Sequence, residues 1–407
     1  MPNDLLPPVT VYIVHHPGCE NAEELSKCLY DWFRLGYLAG GSSAAGLPVF
    51  FRRMLTQEGA ITPSINFNEA ALNVVILLVD HQMVHDRKWR KAIGKLSDTI
   101  SKKRDGKKHK AILVPAALHD SFYRTGSLYQ QFNPIRLIDC SLPKMKAVLR
   151  RAATEAIARA LRSKKLSRPE TLQVFLSHAK RDGVPITEKI RDSIRKFSQL
   201  EAWYDANDLP IGTEWKHPME EAVATGSAAM IATVTNAYPT RPWCRREALL
   251  ARTPVCVEGN ARVWEVQPVV AIHDRLSEWV RGVPMLNGVP RIGWDPNESD
   301  GLIEVMADRL VLEVLLGDVH RRLALKLSEN SQDPEICYIT WVPDAWSLAA
   351  LRQQMSKAEH KNSIDVTTIK EIVYPGYSLS KIELDELECV VKMYSDKTKL
   401  TSFEEVL

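Results

Sequence analysis

The chain has 407 residues, more than one compact unit usually holds, and at roughly 100–200 residues per domain it should divide into two to four. Hydrophobic residues make up 45% and charged residues 25%, with 19 Gly and 23 Pro, which excludes extended disorder and repeat-built fibres. Lys and Arg total 53 against 50 Asp and Glu, and a net charge of +3 averaged over the chain argues against a broad cationic field, so direct nucleic-acid contact is not expected.

Apolar runs and helical periodicity alternate from the start. Residues 9–14 (Val-Thr-Val-Tyr-Ile-Val) predict a strand, and Ala22, Leu25, Leu29, Trp32 and Phe33 put an apolar face on a helix over 21–33. Further strands are expected at 47–51, 74–79, 111–115 and 135–138. The run from Val74 to Val79 has no polar residue, the pattern of a strand buried on both faces of a parallel sheet. A helix rich in Ala, Lys and Arg follows over 142–161, and the polar run 162–170, with Pro169, closes the unit. Residues 1–165 therefore read as a doubly wound α/β domain of flavodoxin-like type.

The pattern then restarts. Strands at 172–176, 201–204, 229–234 and 268–271 alternate with helices at 186–197, 218–224 and 243–251, giving a second α/β domain with a parallel sheet over 170–297. Apolar residues recurring from Leu302 to Leu327 predict a long amphipathic helix or helix pair. The rest of 298–407 supplies strands at 336–339 and 371–374 and helices at 348–358 and 381–393, too few strands for a full sheet, and reads as a small α/β tail serving as sensor or lid. Tyr12-Ile13-Val14-His15-His16 lines up with Val174-Phe175-Leu176-Ser177-His178, and Trp89 with Trp243, so the two larger domains read as a weak tandem duplication.

Seven cysteines (Cys19, Cys28, Cys140, Cys244, Cys256, Cys337 and Cys389) form no CxxC pair and no metal-ligand spacing; they read as reduced, packed thiols, and no metal is expected. The N-terminus lacks the basic and apolar regions of a signal peptide, and no stretch approaches ~18 consecutive apolar residues, so the expectation is a cytoplasmic chain with no membrane span.

Three segments of the second domain fall at the C-terminal ends of its expected strands, where open α/β sheets carry ligand sites. They are Ser177-His178-Ala179-Lys180-Arg181-Asp182; the loop Asp205-Ala206-Asn207-Asp208-Leu209-Pro210-Ile211-Gly212-Thr213-Glu214-Trp215; and Trp243-Cys244-Arg245-Arg246-Glu247. Trp243 and Glu247, four apart, share one face of a helix. Taken alone, Glu247 among Arg245, Arg246 and Arg252 would read as a solvated ion-pair partner and Trp243 as a core aromatic.

In this order and spacing the three segments resemble the Toll/interleukin-1 receptor (TIR) domain family, and specifically its bacterial NAD-cleaving members, over about 171–296. The resemblance implies a catalytic role for Glu247, the carboxylate that stabilises the oxocarbenium-like ribosyl cation formed as the nicotinamide–ribose bond breaks. It further implies that Ser177, His178, Lys180, Asp205, Asp208, Gly212, Trp215 and Trp243 line the substrate, with NAD as substrate and no cofactor. The same resemblance implies an assembly-activated antiphage defence effector that self-associates through TIR domains and answers to an unidentified activating protein or small molecule. Two alternatives stay open: a non-catalytic TIR adaptor, and a synthase of an ADP-ribose-derived messenger.

The first domain departs from this pattern. Ile93 stands four residues after Trp89, His15-His16 replaces Ser-His, and no Asp-Leu-Pro-Ile-Gly loop is present, so it reads as a degenerate TIR-like domain with a regulatory or assembly role. The basic run 102–110 reads as a solvated surface loop around Asp105-Gly106.

Overall fold

Apolar runs without polar alternation have no face to give to water, and they lie inside parallel sheets. The computed structural model describes residues 6–35, 46–55, 61–62, 65–104, 106, 109–124, 132–164, 166, 170–203, 216–257, 259–274, 282–295, 299–331, 333–362, 366–376 and 379–406. The chain divides into two compact units, Met1–Glu170 and Thr171–Leu407.

The first unit holds β1 (Val9–His15), α1 (Ala22–Leu35), β2 (Val49–Arg52), a short antiparallel ribbon of β3 (Met54–Leu55) and β4 (Ile61–Thr62), β5 (Leu72–Val79), α2 (His81–His85), α3 (Arg87–Lys103), β6 (Lys110–Ala117), β7 (Ile135–Arg136) and α4 (Leu142–Arg162). Its sheet runs β2-β1-β5-β6-β7, every pair parallel. All residues of β1 and β5 are buried, as continuous apolar sequence requires. Helix α3 starts at Asp86, whose carboxylate accepts from the backbone N–H groups of Lys88 (2.7 Å) and Trp89 (3.1 Å). It packs Trp89, Ala92, Ile93 and Ile100 inward.

The second unit repeats the plan with β8 (Gln173–His178), α5 (Val184–Phe197), β9 (Glu201–Trp203), α6 (Lys216–Glu221, continued by a π-turn over Ala222–Gly226), β10 (Ala229–Val234), α7 (Pro242–Arg252), β13 (Val269–Asp274) and β14 (Arg291–Trp294). The parallel sheet runs β14-β13-β10-β8-β9. Counted within each unit, both sheets have the order 2-1-3-4-5, the flavodoxin-like arrangement. The fold class is therefore α/β with tandem sheets of flavodoxin-like type.

The expectation of too few strands in the tail is corrected. A third five-stranded sheet runs β11-β12-β15-β16-β17, from β11 (Val255–Cys256), β12 (Val263–Glu265), β15 (Ile336–Ile339), β16 (Glu371–Tyr374) and β17 (Lys399–Ser402). Its first two strands come from between α7 and β13, inside the second sheet's own sequence, and form an antiparallel pair; the other pairings are parallel. Strands β15 and β16 fall where the sequence places them; β11, β12 and β17, two to four residues long, are too short to show a period, and only their neighbours define them.

One continuous helix, α8 (Ser299–Asn330), spans about 48 Å at 1.5 Å per residue. The expected amphipathic stripe is instead apolar around most of the circumference, because α8 packs against β10, β13 and β14 of one sheet and β12 and β15 of the other. Two further helices, α9 (Ala345–Asn362) and α10 (Lys381–Val391), cover the last sheet, and α11 (Phe403–Val406) ends the described chain. Asp344, before α9, accepts from the Ser347 backbone N–H (2.9 Å) and lies 3.6 Å from the buried Arg252 at the end of α7. Among the described residues no helix is long and apolar enough to cross a membrane.

Candidate functional site

From β8 the chain goes out to the edge strand β9 and then crosses back to form β10 on β8's other side. That reversal opens a crevice at the carboxyl ends of β8 and β10, where Ser177 stands opposite Ala232 and His178 opposite Thr233. Phe175 and Ser177 point to one face of the strand, the face covered by α7.

Helix α7 forms because Arg-Arg-Glu-Ala-Leu-Leu-Ala-Arg is strongly helix-favouring and Pro242 occupies the first turn, where no N–H is missed. It ends at Thr253-Pro254, since the residue before a proline disfavours the helical conformation. Cys244, Glu247, Ala248 and Ala251 fall at i, i+3, i+4 and i+7 and form the buried stripe, with two small alanines that bring the helix close to the sheet. This spacing carries Glu247 inward. The carboxylate is 4% exposed, so the solvated ion-pair reading that the neighbouring arginines invite does not hold.

Glu247 is met there by a hydroxyl pair. Ser177 Oγ donates to Glu247 Oε2 at 2.5 Å, and the Tyr238 phenol lies 2.8 Å from Ser177 Oγ. A carboxylate cannot donate, so the proton order is Tyr238 O–H to Ser177 Oγ, then Ser177 O–H to Glu247. Ser177 and Tyr238 are 1% and 0% exposed. Burial first, and then the Glu247 charge, push the Tyr238 phenol well above its ordinary value, so it remains a donor. The same two causes push the Cys244 thiol up to about 12, which keeps it a packed, neutral group; its Sγ lies 3.4 Å from the His178 carbonyl oxygen.

The crevice walls are tied together by Asp182, which accepts from Thr235 Oγ1 (2.6 Å) and the Ala237 backbone N–H (2.9 Å), linking the loops after β8 and β10. Trp243 is half-buried one turn before Glu247, and its Nε1 donates to Met219 Sδ at 2.7 Å. His178 is buried at the strand end, whereas Lys180 and Arg181 are exposed. The geometry thus brings Ser177 and Glu247 together, with Trp243 one turn earlier on α7, while the His178 side chain, next along β8, points to the other face of the sheet. Asp205, Asp208, Gly212 and Trp215 lie outside the described residues. Tyr238 is the member that sequence reasoning missed; its signal is faint, an aromatic opening the Tyr238–Thr240 turn five residues before Trp243.

These features define a doubly wound α/β domain with a buried carboxylate at its topological switch point. Residues 174–284 match the family model of the TIR domain, and this segment of the chain is a TIR domain. The match ends before β14 and encloses the two strands that β11 and β12 lend to the last sheet. A search of curated proteins finds no match.

Proposed function

We propose that the TIR domain cleaves the nicotinamide–ribose bond of NAD, with Glu247 as the catalytic carboxylate. The observation that supports this reading is a buried carboxylate at the switch point, held by Ser177 and carried on the same helix as the half-buried Trp243. As the C1′–N bond breaks, its electron pair leaves with neutral nicotinamide, and the ribose acquires oxocarbenium character. A carboxylate beside that ribose stabilises the cation; water then adds at C1′ and releases a proton, giving ADP-ribose. Capture of the cation by a group of the substrate itself gives a cyclic product from the same residue. His178, Lys180 and Trp243, with Asp205, Asp208, Gly212 and Trp215 of the loop, are proposed to hold the nucleotide.

Because Glu247 is buried, with Ser177 on one of its oxygens, the site must open before a ribose hydroxyl can reach the carboxylate. This favours a resting state that assembly opens. TIR domains commonly self-associate, and the proposed working form is a self-assembled antiphage effector switched on by a protein or small-molecule trigger. In this scheme the first unit is a degenerate TIR-like regulatory domain and residues 298–407 a sensor or lid.

The test is nicotinamide release from NAD by the full chain at rising protein concentration, compared with Glu247→Gln. Release that steepens with concentration and falls at least ~100-fold in the variant is expected. A second reading, a non-catalytic TIR scaffold, is favoured by the burial of the same carboxylate, which in that case only pins α7 to β8. No release by the wild type under any assembling condition, with a lowered melting temperature in the variant, selects the scaffold.

A further inference from the structure

Resolved by unit, the charge of this chain is far from balanced. Residues 1–170 hold 26 Lys and Arg against 15 Asp and Glu, and residues 171–407 hold 27 against 35. The whole-chain +3 is a cancellation of +11 by −8, with the division falling at the boundary between the two units. The exclusion of nucleic acid on net charge averaged over both.

Much of the excess sits on α3, which carries seven basic side chains and one acidic, Asp98. At 100° per residue, Arg87, Lys88, Lys91, Lys95 and Lys102 fall on one arc opposite the inward stripe of Trp89, Ala92, Ile93 and Ile100. All five are exposed, and among the described residues none of them enters an ion pair. From Arg87 to Lys102 the stripe runs about 22 Å along the helix.

Folding gives no reason for this arrangement. Like charges at i,i+4, such as Arg87 with Lys91 and Lys91 with Lys95, destabilise a helix by about 0.2–0.5 kcal/mol per pair. Arg87, Lys88 and Arg90 also crowd the first turn, where the helix dipole favours anions and the sequence supplies none beyond the cap Asp86. A dense line of phosphates relieves both costs.

We propose that the outward stripe of α3 is a docking surface for the phosphate backbone of a nucleic acid. The stripe holds no aromatic side chain to stack on bases, so recognition is of charge rather than sequence. In the loop that follows, Asp105, Lys107 and Lys108 lie outside the described residues. The inference is independent of Glu247 and of NAD cleavage.

The experiment is anisotropy titration of the full chain onto labelled random-sequence duplexes of about 24 base pairs, DNA and RNA in separate arms, between about 50 and 200 mM salt. Binding is expected, with log K falling linearly in log salt by about 0.9 per phosphate neutralised. The triple variant Arg87→Gln, Lys91→Gln, Lys95→Gln should flatten that slope by about 3 and weaken binding at least ~10-fold at the higher salt. Glutamine keeps helix propensity, and an unchanged melting temperature establishes that the fold is intact. Tighter binding in one arm names the acid recognised. Absence of binding at the lowest salt, or an equal slope in the variant, overturns the proposal. So does salt-sensitive self-association without nucleic acid that the triple variant abolishes, since the stripe then meets the acidic half of another copy.

Discussion

Strands β1 and β8 hold the same place, one in from the edge, in two sheets of the same order, yet the chemistry at their ends diverges. At the end of β8 stand Ser177, Tyr238 and Glu247 in hydrogen-bonded sequence. With β1 aligned to β8 and Trp89 to Trp243, the matching positions of the first unit are His15, Val84 and Ile93, all buried. Its tryptophan makes an edge contact with His16, rings 5.4 Å apart. A buried carboxylate needs a donor in place, and at these three positions the first unit has neither the carboxylate nor the two hydroxyls. Topology is shared while the polar triad is present only once, so the fold alone does not carry the function.

The largest expected effect comes from making the second unit resemble the first. Glu247→Ile removes the carboxylate and leaves Ser177 without its acceptor; nicotinamide release should fall at least ~100-fold, and retained activity would break the proposed assignment. The reciprocal change, Ile93→Glu, buries an acid with no donor and should destabilise the protein by about 3 kcal/mol or more, read as a lowered melting temperature. Tyr238→Phe is milder. It takes one donor from Ser177 and should cost about 1–2 kcal/mol by denaturant titration, with a several-fold loss of activity as Ser177 loses its fixed orientation.

The smallest effect concerns His15. Burial holds its imidazole below the ordinary value of 6.5, so the unfolded chain binds the proton more readily than the folded one. Stability is then fully present above pH 6.5 and declines as the pH falls through that value toward the depressed folded one. His15→Ser, the residue at the matching TIR position, should flatten part of this acid-side loss in melting curves. An unchanged slope would mean that other histidines held low by burial, His273 and His320, account for all of it.

The buried strands were legible because Val9–His15 and Leu72–Val79 declare themselves by apolar continuity, and α7 by spacing and proline placement. Glu247 and Ser177 could be paired only through the family motif, since they are 70 residues apart and nothing local links them. Tyr238 escaped because a tyrosine in a turn looks the same whether its hydroxyl meets water or a buried serine. The third sheet escaped for a different reason: β11, β12 and β17 are defined by partners far along the chain. The charge division was present in the sequence throughout and became visible only when the unit boundary was drawn.

The hairpin of β11 and β12 has a consequence for how the protein is made. It leaves the ribosome with β12's outer edge unpaired, and the strand that covers this edge, β15, begins at Ile336, about 70 residues later. At ~5–20 residues per second the edge waits several seconds, with Val263 and Trp264 uncovered. A chain halted before β15 would keep this adhesive edge permanently, so a stop codon placed after the TIR segment is expected to yield aggregate rather than a soluble fragment.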